Sequence, residues 1–104
     1  MRKASVLYQD QRAGTLIENE EGYHFQYEPE YFVKKGDPIS LTLPLQQEPY
    51  HSSVLFPFFD GLIPEGWILD IVEKNWKVNH KDRMGILLVA CRDCIGAVSI
   101  EPIA

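Results

Sequence analysis

The spacing of the hydrophobic residues changes once along this chain, and that change constrains the fold more than any other feature. In the first part they recur at every second position, the period of a half-buried β-strand; after Pro57 they recur at nearly every fourth, the period of an amphipathic helix. A chain of 104 residues with 45% hydrophobic content can build one core. We therefore expect one α+β domain over residues 1–104, with a small antiparallel, meander-based sheet of about five strands followed and covered by two to three helices.

The strand-rich part predicts a three-stranded meander. Segments 2–9, 12–18 and 23–28 each read as a strand, and the short stretches "DQ" and "NEEG" between them favour hairpin turns. Residues 29–38 interrupt the pattern with Pro29, Gly36 and Pro38, after which "ISLTL", residues 39–43, alternates as a fourth strand. Residues 44–57 contain three prolines and few periodic positions, so we expect a long surface connection there. Residues 96–101 read as the last strand.

Three helices are predicted after Pro57. The first is a helix of one or two turns that Gly61 ends, and the second begins at Pro64 and continues to Trp76. The third covers about residues 80–90 and follows Asn79 as its capping residue. On a helical projection Trp76 lies within the apolar stripe of the second helix, whereas Trp67 lies at its border.

The stretch "FFDGLIPEGW", residues 58–67, is the candidate binding site. A tryptophan among acidic residues at an exposed helix start has the character of a binding hot spot, although a border tryptophan is about equally often half-buried against its own domain. No Lys or Arg occurs from residue 36 to residue 73, a range that holds six acidic residues; a simple solvated face also explains this. The predicted contact residues are Phe59, Asp60, Pro64, Glu65, Gly66 and Trp67.

Several other functions are disfavoured by the residue patterns. Lys and Arg are scattered and the net charge is -5, which argues against nucleic-acid binding, and the apolar runs are too short to span a bilayer. The start of the chain does not resemble a signal peptide, so we expect a complete cytoplasmic protein. The "FFDG" and "CRDC" stretches lack the residue order and the metal-binding Asn of a kinase site. We therefore expect no catalytic residues.

The cysteines and histidines give little indication of a redox, catalytic or metal-binding site. Cys91 and Cys94 have the spacing of a redox dithiol but follow a predicted helix, where the dipole disfavours a thiolate, and a single C-x-x-C supplies only half a zinc site. His24, His51 and His80 stand in three unrelated contexts and are interpreted as ordinary surface or turn residues. No metal site and no cofactor are expected.

Five stretches, in this order, carry a family resemblance: "GTLIE", "YHFQYEPEY", "ISLTLPL", "FFDGLIPEGW" and "CRDCIGAVSI". They resemble the N-terminal subdomain of HipA-type serine/threonine kinases, the toxins of bacterial toxin–antitoxin modules. The resemblance covers nearly the whole chain, and "FFDGLIPEGW" with the later "RDCIGA" is its most specific part. A full kinase of this type continues for several hundred residues, so the catalytic part is expected to be absent.

A free-standing copy of this subdomain resembles the HipS family, the antitoxins of tripartite HipB-HipS-HipT systems. The resemblance implies that the partners are a HipT-like serine/threonine kinase toxin and a HipB-like helix-turn-helix DNA-binding protein, joined in a ternary complex. The chain itself would bind the kinase and neutralise it without being an enzyme. The alternative is a detached, non-catalytic subdomain that completes the kinase fold and supports its activity.

Overall fold

The computed structural model describes residues 1–63, 82–90 and 97–103, and these residues form a small α+β fold, as the sequence predicts. Its five strands are β1 (Arg2–Tyr8), β2 (Gln11–Asn19), β3 (Gly22–Tyr27), β4 (Tyr50–Ser52) and β5 (Val98–Ile103). Its described helices are α1 (Pro29–Val33), α2 (Pro57–Asp60) and α3 (Arg83–Ala90). The strands form one sheet in the order β4-β3-β2-β1-β5, and every neighbouring pair is antiparallel.

Tight turns join the first three strands, as the alternating pattern predicts. Tyr8 pairs with Gln11, so the first turn has only Gln9 and Asp10 at its centre, and both have positive φ. Two successive positive φ values give a turn whose twist matches that of the flanking strands. Gly22 opens β3 with a φ of 125°, and a Cβ built there would lie 2.5 Å from the carbonyl oxygen of Ser52. This position therefore requires glycine.

The core lies between one face of the sheet and the helices. Phe25 of β3 contacts Phe59 of α2 edge-to-face, with ring centroids 5.5 Å apart. Tyr27 stacks on Tyr31 of α1 at 6.0 Å. The most completely buried large side chains are Phe25, Phe59, Leu16, Met84, Ile86, Leu87, Ile100 and Val6.

The opposite face of the sheet carries the alternate residues of each strand. One row of directly paired residues crosses all five strands: Ile103 faces Lys3, Lys3 faces Ile17, Ile17 faces His24, and His24 faces His51. Lys3 and His51 are exposed, and Ile17 and His24 are half-buried. The antiparallel register thus brings His24 and His51 together although they are far apart in sequence.

Two sequence predictions are wrong. Residues 39–43 contain only an isolated bridge between Ser40 and Leu43, and the fourth strand is instead Tyr50–Ser52, within the predicted connection. Residues 29–33, interpreted as an interruption, form the short helix α1. The predicted strands at 2–9, 12–18, 23–28 and 96–101 are confirmed within one or two residues at most ends, as is the short helix that Gly61 caps.

The predicted helix from Pro64 to Trp76 lies outside the described residues. The third predicted helix is described from Arg83 to Ala90, and Asp82 is its N-cap rather than the predicted Asn79. Within the described ranges, no helix has both the length and the apolar character needed to cross a membrane.

Candidate functional site

The described part of the candidate site is a compact turn that begins with α2. Pro57 opens the helix, where its missing N–H would have no helical partner in any case. The N–H of Gly61 donates to the carbonyl of Pro57 at 2.9 Å, and the N–H of Ile63 donates to the carbonyl of Asp60 at 3.3 Å. Ile63 is buried at the end of this turn, so the chain reaches Pro64 from a fixed point in the core.

Phe59 was predicted to contact a partner, but its side chain is fully buried. Its ring packs edge-to-face against Phe25, Phe56 and Phe58 at centroid distances of 5.3–6.0 Å. Because no part of the ring is exposed, Phe59 cannot contact a partner in this conformation. Phe59 is therefore a core residue that anchors α2 to the sheet.

Asp60 lies at the surface, and a cation of the same chain already binds it. Nε of Arg83 donates to Oδ1 of Asp60 at 2.5 Å, and the two side chains are 34% and 42% exposed, respectively. This ion pair joins the end of α2 to the start of α3. The negative charge of Asp60 is thus largely balanced by Arg83, which weakens the electrostatic attraction between Asp60 and the cations of a partner.

A second ion-pair network fixes the start of α3. Asp82 accepts a hydrogen bond from the N–H of Gly85 at 3.1 Å, the geometry of a helix N-cap. The Arg2 guanidinium donates to both oxygens of Asp82 at 2.8 Å and to Glu18 at 2.6 and 2.9 Å. Hydrogen bonds to Arg2 hold the pKa values of Asp82 and Glu18 below their ordinary values.

These contacts fix both ends of the segment that contains most of the predicted site. The described chain ends at the buried Ile63 before this segment and resumes at Asp82 after it, and the ion pair between Asp60 and Arg83 joins the two described stretches. Pro64, Glu65, Gly66 and Trp67 lie outside the described residues, as do Trp76, Cys91 and Cys94. Their predicted roles therefore stay predictions.

One arrangement was missed by the sequence analysis, which placed His24 and His51 in unrelated contexts. Their rings lie side by side with centroids 4.5 Å apart, on the strands β3 and β4. A strand prediction at residues 50–52 would have revealed this pair, but three residues are too few to show a period of two. Among the described residues, no group of three or more His, Cys, Asp or Glu side chains is arranged to hold a metal ion.

Comparison with solved structures gives the class of this fold. The chain is similar to a structure described as the N-terminal domain of HipA toxin, with a TM-score of 0.80 and 32% sequence identity. The similarity covers all of this chain and 94% of the other.

The family model for the HipA N-terminal domain matches residues 4–101, and the chain belongs to this family. It is also 36% identical over 101 residues to an uncharacterized protein of Haemophilus influenzae. That match covers 97% of this chain and 92% of the relative, so the relative is a protein of similar size. The family resemblance inferred from the sequence motifs is confirmed, and it relates the chain to HipA toxin–antitoxin systems.

Proposed function

We propose that this protein is an antitoxin that binds and neutralises a separately encoded HipA-like serine/threonine kinase, by protein–protein docking in the cytoplasm. One observation carries the proposal: the HipA N-terminal domain accounts for residues 4–101, and a relative of similar size is matched along 92% of its length. The proposed partners are a HipT-like kinase and a HipB-like DNA-binding protein. The chain itself contributes no catalysis.

Local rigidity at the base of the candidate site supports docking. Phe59 and Ile63, which precede residues 64–81 in the chain, are buried, and the ion pair between Arg83 and Asp60 joins the described residues before and after that segment. A contact segment whose ends are held in place loses less conformational entropy on binding than a free one does. We propose Trp67 as its anchor, with Pro64, Glu65 and Gly66 beside it.

Charge also favours a kinase as the partner. A kinase site presents cationic groups to the phosphates of ATP, and acidic residues beside an aromatic anchor complement such a rim. Because Arg83 already binds Asp60, we assign the electrostatic contribution mainly to Glu65 and only weakly to Asp60.

The alternative is that the chain completes the kinase fold and supports its activity. The similar solved structure favours this reading, because it is described as a domain of the toxin itself. The two functions predict opposite effects on the kinase, so a growth experiment separates them.

The test is co-expression in a bacterial host with a HipA-like kinase that lacks this domain. An antitoxin restores growth, whereas an activating subunit deepens the growth defect. The exposed Val54, on the connection before α2, provides a control: Val54→Ser is expected to rescue growth as well as the wild type. Failure of the wild-type chain both to rescue growth and to bind the purified kinase contradicts the proposal.

A further inference from the structure

The pair formed by His24 and His51 lies on the open face of the sheet. The two residues are directly opposite each other on antiparallel strands, and their ring planes are inclined by 58° at a centroid distance of 4.5 Å. His51 is exposed and His24 is half-buried, so solvent reaches the pair. Cross-strand neighbours of this kind are held in place by the ladder itself.

The hydrogen bonds of the pair determine which ring nitrogen of each histidine carries the proton. Nε2 of His51 lies 3.2 Å from the carbonyl oxygen of Glu21, which can only accept. Nε2 of His24 lies 3.3 Å from Oδ1 of Asn19, and the same oxygen accepts the N–H of Glu21 at 2.9 Å. Because both partners are acceptors, each Nε2 is a donor, and in the neutral ring the lone pair is on Nδ1.

The hydrogen bonds of both Nε2 atoms are of the kind that metal-binding histidines make. A ligand histidine usually donates its second ring nitrogen to a carbonyl or carboxylate oxygen, which fixes the tautomer and orients the ring. Two nitrogens bound to one tetrahedral ion at about 2.0–2.1 Å each are about 3.3 Å apart. The ring centroids of His24 and His51 lie 4.5 Å apart, so the two imidazoles are close enough to share one ion.

The surrounding charge favours a cation. Glu20 and Glu21 form the centre of the turn between β2 and β3, next to Asn19, and both are exposed. Acidic side chains raise the local concentration of cations. Imidazole nitrogen suits Zn²⁺, Ni²⁺ and Cu²⁺, and Cu²⁺ is the tightest of the three in the general order of affinities.

We propose that His24 and His51 form a two-histidine site for a divalent transition-metal ion, bound through both Nδ1 atoms with water in the other positions. The site differs from the sequence prediction of no metal, and it is independent of the proposed antitoxin function. Bound metal would clamp β4, which has only three residues, onto β3.

Isothermal titration with Zn²⁺ and with Cu²⁺ tests the site in the full chain. The background is Cys91→Ser with Cys94→Ser, because thiolates bind the same ions. We expect one ion per chain. His24→Gln and His51→Gln are each expected to weaken binding by at least about tenfold, since replacing even an outer-shell partner costs about 10- to 100-fold. His80→Gln is the matched control and is expected to bind as tightly as its background.

Two further measurements keep the result interpretable. Circular dichroism without metal shows whether each variant is folded, and nuclear magnetic resonance of the Cys91→Ser, Cys94→Ser background follows the histidine rings during titration with Zn²⁺. We expect the rings of His24 and His51 to shift together and saturate at one equivalent, while the ring of His80 does not. The proposal is wrong if no ion binds, if folded His24→Gln and His51→Gln proteins bind like the background, or if His80→Gln weakens binding equally.

Discussion

At the scale of single residues, one hydroxyl group organises the loop that follows α1. The Tyr27 hydroxyl donates to the carbonyl of Leu43 and accepts the N–H of Ile39, the latter at 3.0 Å. Burial raises the pKa of Tyr27 to about 12, so the group is a neutral donor at physiological pH. The N–H of Ile39 and the carbonyl of Leu43, at the two ends of this loop, therefore depend on a side chain from β3 for their hydrogen bonds.

Tyr27→Phe is expected to lower the free energy of unfolding by about 1–3 kcal/mol, because it leaves a buried N–H and a buried carbonyl without partners. Tyr50→Phe is the control. Its hydroxyl donates to the carbonyl of Pro44 at 2.6 Å in an exposed position, where water can replace it, so we expect a change within about 0.5 kcal/mol. Urea denaturation measures the free energy of unfolding of both variants. Equal decreases would show that the buried hydrogen bonds of Tyr27 stabilise the fold no more than the exposed one of Tyr50 does.

At the scale of secondary-structure elements, alternation alone predicted the long strands correctly and misled in one short segment. In "ISLTL", Ile39 and Leu43 are buried as a strand pattern requires, but Leu41 between them is 98% exposed. The Ser40 hydroxyl bonds the N–H and the side chain of Thr42, and such local bonds compete with a strand ladder. A strand also needs a neighbour to pair with, and no local pattern specifies which segment β3 selects.

The short helix α1 had a local signal that the sequence analysis interpreted differently. Pro29 is the first helical residue and Glu30 follows in the first turn, both of which favour a helix start. The sequence pattern predicts an interruption instead, because Pro29, Gly36 and Pro38 are all breakers of the strand pattern. For the binding site, the sequence located α2 and Gly61 correctly, but it could not show that Phe59 points into the core, since the sheet that buries it is distant in sequence.

The segment between α2 and α3 holds the strongest prediction for binding. Trp67→Ala is expected to leave the domain folded and to weaken kinase binding by about 30- to 1000-fold, corresponding to about 2–4 kcal/mol for a hot-spot tryptophan. Trp76→Ala, at a predicted core position, is expected to cost about 3–5 kcal/mol of stability instead. Thermal melts alongside the growth assay distinguish the two variants. If Trp67→Ala melts like the wild type and rescues growth fully, the recognition surface lies elsewhere, on the exposed strands or in residues 44–57.

At the scale of the whole molecule, Arg2 connects parts of the fold that are far apart in sequence. From the first strand it binds Glu18 at the end of β2 and Asp82 at the start of α3, so one guanidinium joins three elements. Both carboxylates have lowered pKa values, and the largest cause is the hydrogen bond to Arg2. A carboxylate with a pKa lowered by folding stabilises the native state above its unfolded pKa and loses that contribution as the pH falls.

The ordinary pKa values of Glu18 and Asp82 are 4.5 and 3.8, so the contribution of Arg2 is complete above about pH 5 and declines in more acidic solution. Arg2→Met is expected to cost about 0.5–2 kcal/mol at pH 7, a modest amount because the Arg2 and Asp82 side chains are 37% and 38% exposed and solvent screens them. The deficit is expected to shrink towards zero between pH 5 and pH 2. Urea denaturation across this range measures it, with Arg12→Met as a control that removes the more exposed pair with Glu28 and an exposed hydrogen bond to Thr15. A deficit that stays constant down to pH 2 would mean that Arg2 stabilises the fold by a contribution other than its ion pairs with Glu18 and Asp82.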